Sequence, residues 1–131
     1  MLAVDTNVVV RFLVDDDAAQ HKRAKALFQA HTVWLAKTVL LESEWVLRSA
    51  FGFTPDEIAQ ALRGLTSLPG VRCEDIAAVA SAIDALACGL DFADALHLVS
   101  GHVADEGFAS FDTRFVKRAR KHWPGVAVRT P

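Results

Sequence analysis

The chain has 131 residues, 52% of them hydrophobic, and a net charge of −2 at neutral pH. That length is enough for one domain with a real core, read here as a single domain over residues 1–131. The small net charge excludes a global field that would draw nucleic acid or membrane, so electrostatic arguments must rest on local clusters.

The predicted elements alternate strand and helix. A strand at 2–4 leads into a short helix near 7–13, a polar break at Asp15 to Asp17, and a helix over 18–30. A strand at 32–35 and a helix over 38–50, stopped by Gly52, come next. Thr54, Pro55 and Glu57 have the order of an N-cap, a first-turn proline and a capping-box acid, which opens a helix to about 67. A turn at Leu68 to Gly70 feeds a brief strand at 71–73, followed by an alanine-rich helix over 75–88 closed by Gly89. A helix over 92–104, a strand at 108–110, a helix over 113–122 and a strand at 126–128 complete the chain. Short apolar strands alternating with amphipathic helices predict an α/β fold, a parallel sheet covered on both faces. Ligands of such sheets bind beyond the carboxyl ends of the strands.

Cys73 and Cys88 form no zinc-type spacing and read as small buried hydrophobes in a reducing compartment. Strand-like sequence begins at Leu2 with no charged and apolar leader before it. No apolar run approaches the ~18 residues needed to cross a bilayer. A soluble, cytoplasmic protein without membrane partners is the expectation.

Sixteen Asp and Glu residues are present, and four stand out by position. Asp5 follows the first strand and Asp112 follows the strand at 108–110; each also fits an N-cap. Glu44 has Arg48 four residues on, a favourable ion-pair spacing. Glu42 has Val39, Trp45 and Val46 around it, an apolar face on which a carboxylate needs a partner or a metal. Asp94 lies three residues after Asp91, where it fits either a capping-box acid or a site residue. Carboxylates gathered at one sheet edge would repel unless a cation joined them. An oxygen-only set suits Mg²⁺ or Mn²⁺ rather than zinc, and leaves positions open for a substrate phosphate.

In chain order, AVDTN at 3–7, LLESEWVL at 40–47, DFADALHL at 91–98 and SFDTRF at 110–115 resemble the four acidic motifs of PIN-domain ribonucleases. Their spacing over nearly the whole chain is similar to that of the VapC toxins of toxin–antitoxin pairs. The resemblance implies an α/β/α three-layer fold with a central, mostly parallel sheet of four to five strands. It implies a catalytic and metal-ligating quartet of Asp5, Glu42, Asp94 and Asp112 around Mg²⁺ or Mn²⁺, supported by Thr6, Asn7 and Asp91. The implied activity is endonucleolytic cleavage of single-stranded or looped RNA by metal-activated water. The implied partners are a second copy in a homodimer and a cognate antitoxin protein.

TRFVKRARKHW carries five of the fourteen basic residues. Arg114, Lys117, Arg118 and Lys121 form one helical stripe, with Arg114, Lys117 and Arg118 as candidate contacts to the RNA backbone; the competing reading is a solvated helix face. His97 reads as a partner of Asp94 or a core histidine. Two other readings compete with a ribonuclease: a non-catalytic α/β interaction module, and another Mg-dependent phosphoesterase. Aspartate-phosphorylating phosphatases want a second Asp two residues after the first, whereas Asp5 is followed by Thr6 and Asn7.

Overall fold

Thr54 shows how directly this sequence dictates local structure. In the computed structural model, which describes all 131 residues, its hydroxyl accepts from the Glu57 N–H while the Glu57 carboxylate accepts from the Thr54 N–H. Those bonds hold the Glu57 carboxyl below its usual range. They start a helix at Pro55 that runs to Thr66, as the capping signature predicts. The chain divides into two compact units, Met1–Ile76 and Ala77–Pro131.

The first unit contains β1 (Leu2–Ala3), α1 (Thr6–Leu13), α2 (Ala18–Ala30), β2 (Val33–Leu35), α3 (Lys37–Ser49), α4 (Pro55–Thr66) and β3 (Val71–Cys73). Its three strands pair in parallel in the order β1-β2-β3, with Leu2 opposite Val33 and Val33 opposite Val71. Central β2 buries Val33 and Leu35 completely, whereas Leu2 on edge strand β1 is 37% exposed. The reading of Leu2 to Val4 as a buried strand is therefore corrected: β1 has a partner on one side only in this ladder. The core of the unit is built from Val9, Val33, Leu35, Leu40, Leu47, Ile58, Leu62 and Leu65. Burying each such side chain stabilises the fold by about 1.5–3 kcal/mol before entropy is counted. The rings of Phe12 on α1 and Phe28 on α2 stack with centroids 4.1 Å apart.

The second unit contains α5 (Ile76–Ala87), whose first residue closes the first unit, then α6 (Phe92–Ser100), β4 (Phe108–Ala109), α7 (Thr113–His122) and β5 (Val128–Arg129). Strands β4 and β5 are parallel, pairing Phe108 with Val128 and Ala109 with Arg129. Alanines make α5 slim, and its inward face buries Ala78, Val79, Ala82, Ile83 and Leu86. Trp123 at the end of α7 donates its indole N–H to Ser81 on α5, 3.0 Å away.

All strand pairs are parallel, as the sequence pattern predicts, and three strands pair in one ladder and two in another. Helix α6 stops at Ser100 rather than 104 because Gly101 closes it, its N–H bonding to the His97 and Leu98 carbonyls. The last strand begins at Val128 rather than 126, since the Val126 N–H turns back to the Trp123 carbonyl. Cys73 is half-buried, which raises its thiol pKa, but Cys88 is exposed at the C-terminal end of α5. No helix is long and apolar enough to cross a membrane.

Candidate functional site

Asp5 links β1 to α1. Its extended backbone lets Oδ1 accept from the Val8 N–H at 3.1 Å, which caps the helix. The side chain is exposed, and its second oxygen has no hydrogen bond or ion pair. Thr6 at the first helical position is buried, and Asn7 is exposed. Asn7 opens a cleft of about 280 Å³ between α1 and α2, lined also by Val8, Arg11, Gln20, Arg23 and Leu27. Within it Arg11 is fixed by Asp16 and Gln20, each at 2.7 Å, while Arg23 on the opposite wall is exposed.

On α3 the structure reverses the expected burial of two glutamates. The buried face is Leu40, Ser43, Glu44 and Leu47, and Glu44 is only 4% exposed, with Arg48 Nε at 3.0 Å. Ser43 is satisfied by donating to the Val39 carbonyl. Glu42 is exposed and forms no hydrogen bond or ion pair, and its neighbour Trp45 is 57% exposed. Of the apolar residues beside Glu42, Trp45 is exposed and Val39 and Val46 are only half-buried, so its carboxylate is a solvated group and not a buried orphan. Two polar core residues hid the true inward stripe; the Leu40–Leu47 spacing of seven with Glu44 between was the available signal.

In the second unit three acids come within electrostatic reach of one another. Asp91 caps α6, its Oδ2 accepting from the Asp94 N–H at 2.9 Å. Asp112 caps α7, with Oδ1 accepting from the Phe115 N–H at 3.0 Å, and its own N–H donates to Ser110 Oγ. Asp94 is half-buried in the first turn of α6. Burial and the like charges of Asp91 and then Asp112 raise its pKa, and only His97 works against them. His97 is exposed and so is not a core residue; of the two readings, the one as an electrostatic partner of Asp94 holds.

The four acids singled out in the sequence, Asp5, Glu42, Asp94 and Asp112, offer oxygen donors only, the chemistry that a hard divalent cation takes. A crowded, half-buried carboxylate such as Asp94 is what such a cation relieves. As placed, no three Asp, Glu, His or Cys side chains are grouped closely enough to hold an ion.

On α7, Arg114, Lys117, Arg118 and Lys121 are all exposed, opposite the buried Phe115, Val116 and Ala119. Arg118 is partly committed, since Nη1 donates to the Gly89 carbonyl at 2.6 Å. Arg114, Lys117 and Lys121 make no hydrogen bond or ion pair and remain available to a substrate.

Among curated proteins, none matches the chain. The family model of the PIN domain, whose members are in general nucleases that use divalent metals, matches residues 2–121. That span takes in all four acidic motifs, nearly all of the first unit and the second unit as far as α7. With an acid after β1, an acid after β4 and acids on α3 and α6, all inside the matched residues, the chain belongs to the PIN domain family.

Proposed function

We propose that this protein is a metal-dependent endoribonuclease acting as the toxin of a VapC-type toxin–antitoxin pair. The observation that carries the nuclease reading is the match of the PIN family model to residues 2–121, a span that includes Asp5, Glu42, Asp94 and Asp112. In this reading residues 1–131 act as one domain, and Asp5, Glu42, Asp94 and Asp112 act as one acidic set. Asp5, Asp94 and Asp112 hold Mg²⁺ or Mn²⁺, while Thr6, Asn7 and Asp91 support them.

When bound, the cation supplies Lewis acidity, activating water and neutralising charge at phosphorus. The protein's own groups do the rest. Capping bonds fix the direction of the Asp5 and Asp112 carboxylates. Glu42, exposed and unbonded, is free to orient the attacking water and accept its proton. Arg114, Lys117 and Arg118 hold the RNA backbone against the repulsion of the acids. In-line attack leaves a 5′-phosphate and a 3′-hydroxyl, with no part for the ribose 2′-hydroxyl as nucleophile.

The protein acts in the cytoplasm as a homodimer held inactive by an antitoxin. The chain's 52% hydrophobic content is consistent with such apolar interfaces. The test is cleavage of end-labelled RNA with Mg²⁺ or Mn²⁺, with EDTA, and by the Asp5→Asn and Asp94→Asn variants. Cleavage only with metal, lost in both variants and leaving 5′-phosphate ends, supports the reading. Undiminished cleavage in EDTA, or 2′,3′-cyclic phosphate products, refutes it. Co-purification with the product of an adjacent reading frame tests the toxin assignment.

A further inference from the structure

Three phenylalanines bracket Asp112, at 108, 111 and 115. Phe108 on β4 and Phe115 on α7 pack edge to face, with centroids 6.2 Å apart and planes at 75°. Phe111 is left out, 82% exposed on the bend between strand and helix. Lone exposed apolar residues are ordinary on protein surfaces, but this one differs in setting and rigidity. It directly precedes Asp112 and stands three residues before Arg114, with Lys117 one turn further on.

The backbone that carries it is pinned on both sides. The Ser110 N–H donates to the Arg129 carbonyl at 3.0 Å, the Asp112 N–H to Ser110 Oγ at 3.0 Å, and the Phe115 N–H to Asp112 Oδ1 at 3.0 Å. An aromatic ring held out in water on a fixed turn, next to a carboxylate in sequence and a few residues before two exposed cations, matches the parts that bind single strands: a π-face for a base and cations for phosphates.

Resting on the ribonuclease reading, we infer that Phe111 is a positioning residue that stacks on an unpaired nucleobase next to the scissile phosphate, and so selects single-stranded over duplex RNA. A base inside a duplex has no free face, so the ring gains nothing from it.

The test measures binding of a fluorescein-labelled RNA oligonucleotide by anisotropy in EDTA, where cleavage does not interfere, as a single strand and annealed to its complement. Loss of one stacked base predicts that Phe111→Ala binds the single strand roughly 5- to 150-fold more weakly, with duplex binding unchanged. Phe111→Trp retains single-strand binding, and its emission changes when the single strand is added. An unaltered melting temperature in Phe111→Ala shows that the fold is intact.

Equal binding by Phe111→Ala and the parent chain overturns the inference, as do equal losses on both RNAs or no RNA binding by the parent. Dissociation of a dimer by Phe111→Ala without loss of RNA binding assigns the ring to a protein interface and also overturns it. If metal-dependent cleavage is seen but single-strand binding ignores Phe111, this inference alone fails. If binding depends on Phe111 but no cleavage occurs, the stacking stands and the nuclease reading fails.

Discussion

Gly107→Ala is the substitution whose cost the structure states most sharply. Gly107 has φ +99°, and a Cβ built on it falls 2.0 Å from the Ala127 carbonyl oxygen and 2.8 Å from the Ala127 Cβ. That carbonyl accepts the 2.8 Å bond from the Phe108 N–H that starts the β4–β5 ladder, so it cannot yield without breaking the strand pair. A side chain in the left-handed region costs about 1–2 kcal/mol, and overpacking against fixed atoms about 1–3 kcal/mol. Together they predict a loss of about 2–5 kcal/mol, a large share of a typical domain's 5–15 kcal/mol. An unfolding entropy of about 2.1 cal/mol/K per residue converts this, for 131 residues, to a Tm lower by roughly 7–18 °C. The assay is thermal unfolding by circular dichroism, with Gly64→Ala as the internal control. Gly64 lies within α4 with nothing within 4 Å of its virtual Cβ, so alanine there should raise Tm by a few degrees through helix propensity. A Gly107→Ala protein melting within about 3 °C of the parent would refute the reasoning, since the positive φ alone predicts a larger drop.

The raised Asp94 pKa means that its ionised form opposes folding. Asp94→Asn should therefore raise Tm at pH 7 in EDTA, an advantage that shrinks as the pH falls and Asp94 takes up its proton. Mn²⁺ at 100 times its dissociation constant should stabilise the parent chain by about 2.7 kcal/mol, or roughly 10 °C by the same entropy, with the shift lost in Asp94→Asn; a calorimetric scan with and without metal decides it. Lys117→Ala should lower the salt slope of single-stranded RNA binding by about 0.7 without moving Tm, whereas Arg118→Ala should also reduce Tm because it removes the bond to the Gly89 carbonyl. Asp5→Ala should cost about 1 kcal/mol of stability by removing a cap, while Asp5→Asn costs nearly none, and both abolish cleavage; unfolding curves and the RNA assay together separate the two roles.

Wherever one local rule dominates, the sequence is a good guide to this fold. The capping box at Thr54 and Glu57, the boundaries of α2 and α7, and the parallel pairing of the strands all follow from patterns a few residues long. What escaped depends on distant packing. Glu44 lies inward and Glu42 outward because α3 turns Leu40 and Leu47 to the core, and Ser43 can accompany them by bonding to its own helix. The late start of β5 depends on a turn from Trp123 to Val126 and on the close approach of Gly107 to Ala127, neither of which hydrophobic spacing records. The exposure of Leu2 follows from its place at the edge of a ladder, a property of topology rather than of residue type.

For Asp5 and Asp112 the sequence left two readings open, helix cap or metal ligand, and the structure shows that they do not compete. A carboxylate has two oxygens, and in each residue one is spent on a helix N–H while the other makes no bond. Asp17 tests whether capping alone marks a site. It caps α2 through the same kind of bond, accepting from the Gln20 N–H at 3.1 Å, yet it follows a helix, α1, and not a strand. Asp5 and Asp112 each sit where a parallel strand passes into a helix, the position at which α/β proteins bind ligands. There the capping bond restricts the carboxylate to one direction, and the helix dipole favours its charge. The β2–α3 turn is capped by Ala36, without a side-chain bond. It has no acid of this kind, and the exposed acid that α3 carries, Glu42, is unrestrained. In the proposed reading, the free oxygens of the capped Asp5 and Asp112 would serve to hold an ion and the unrestrained Glu42 would serve to move a proton.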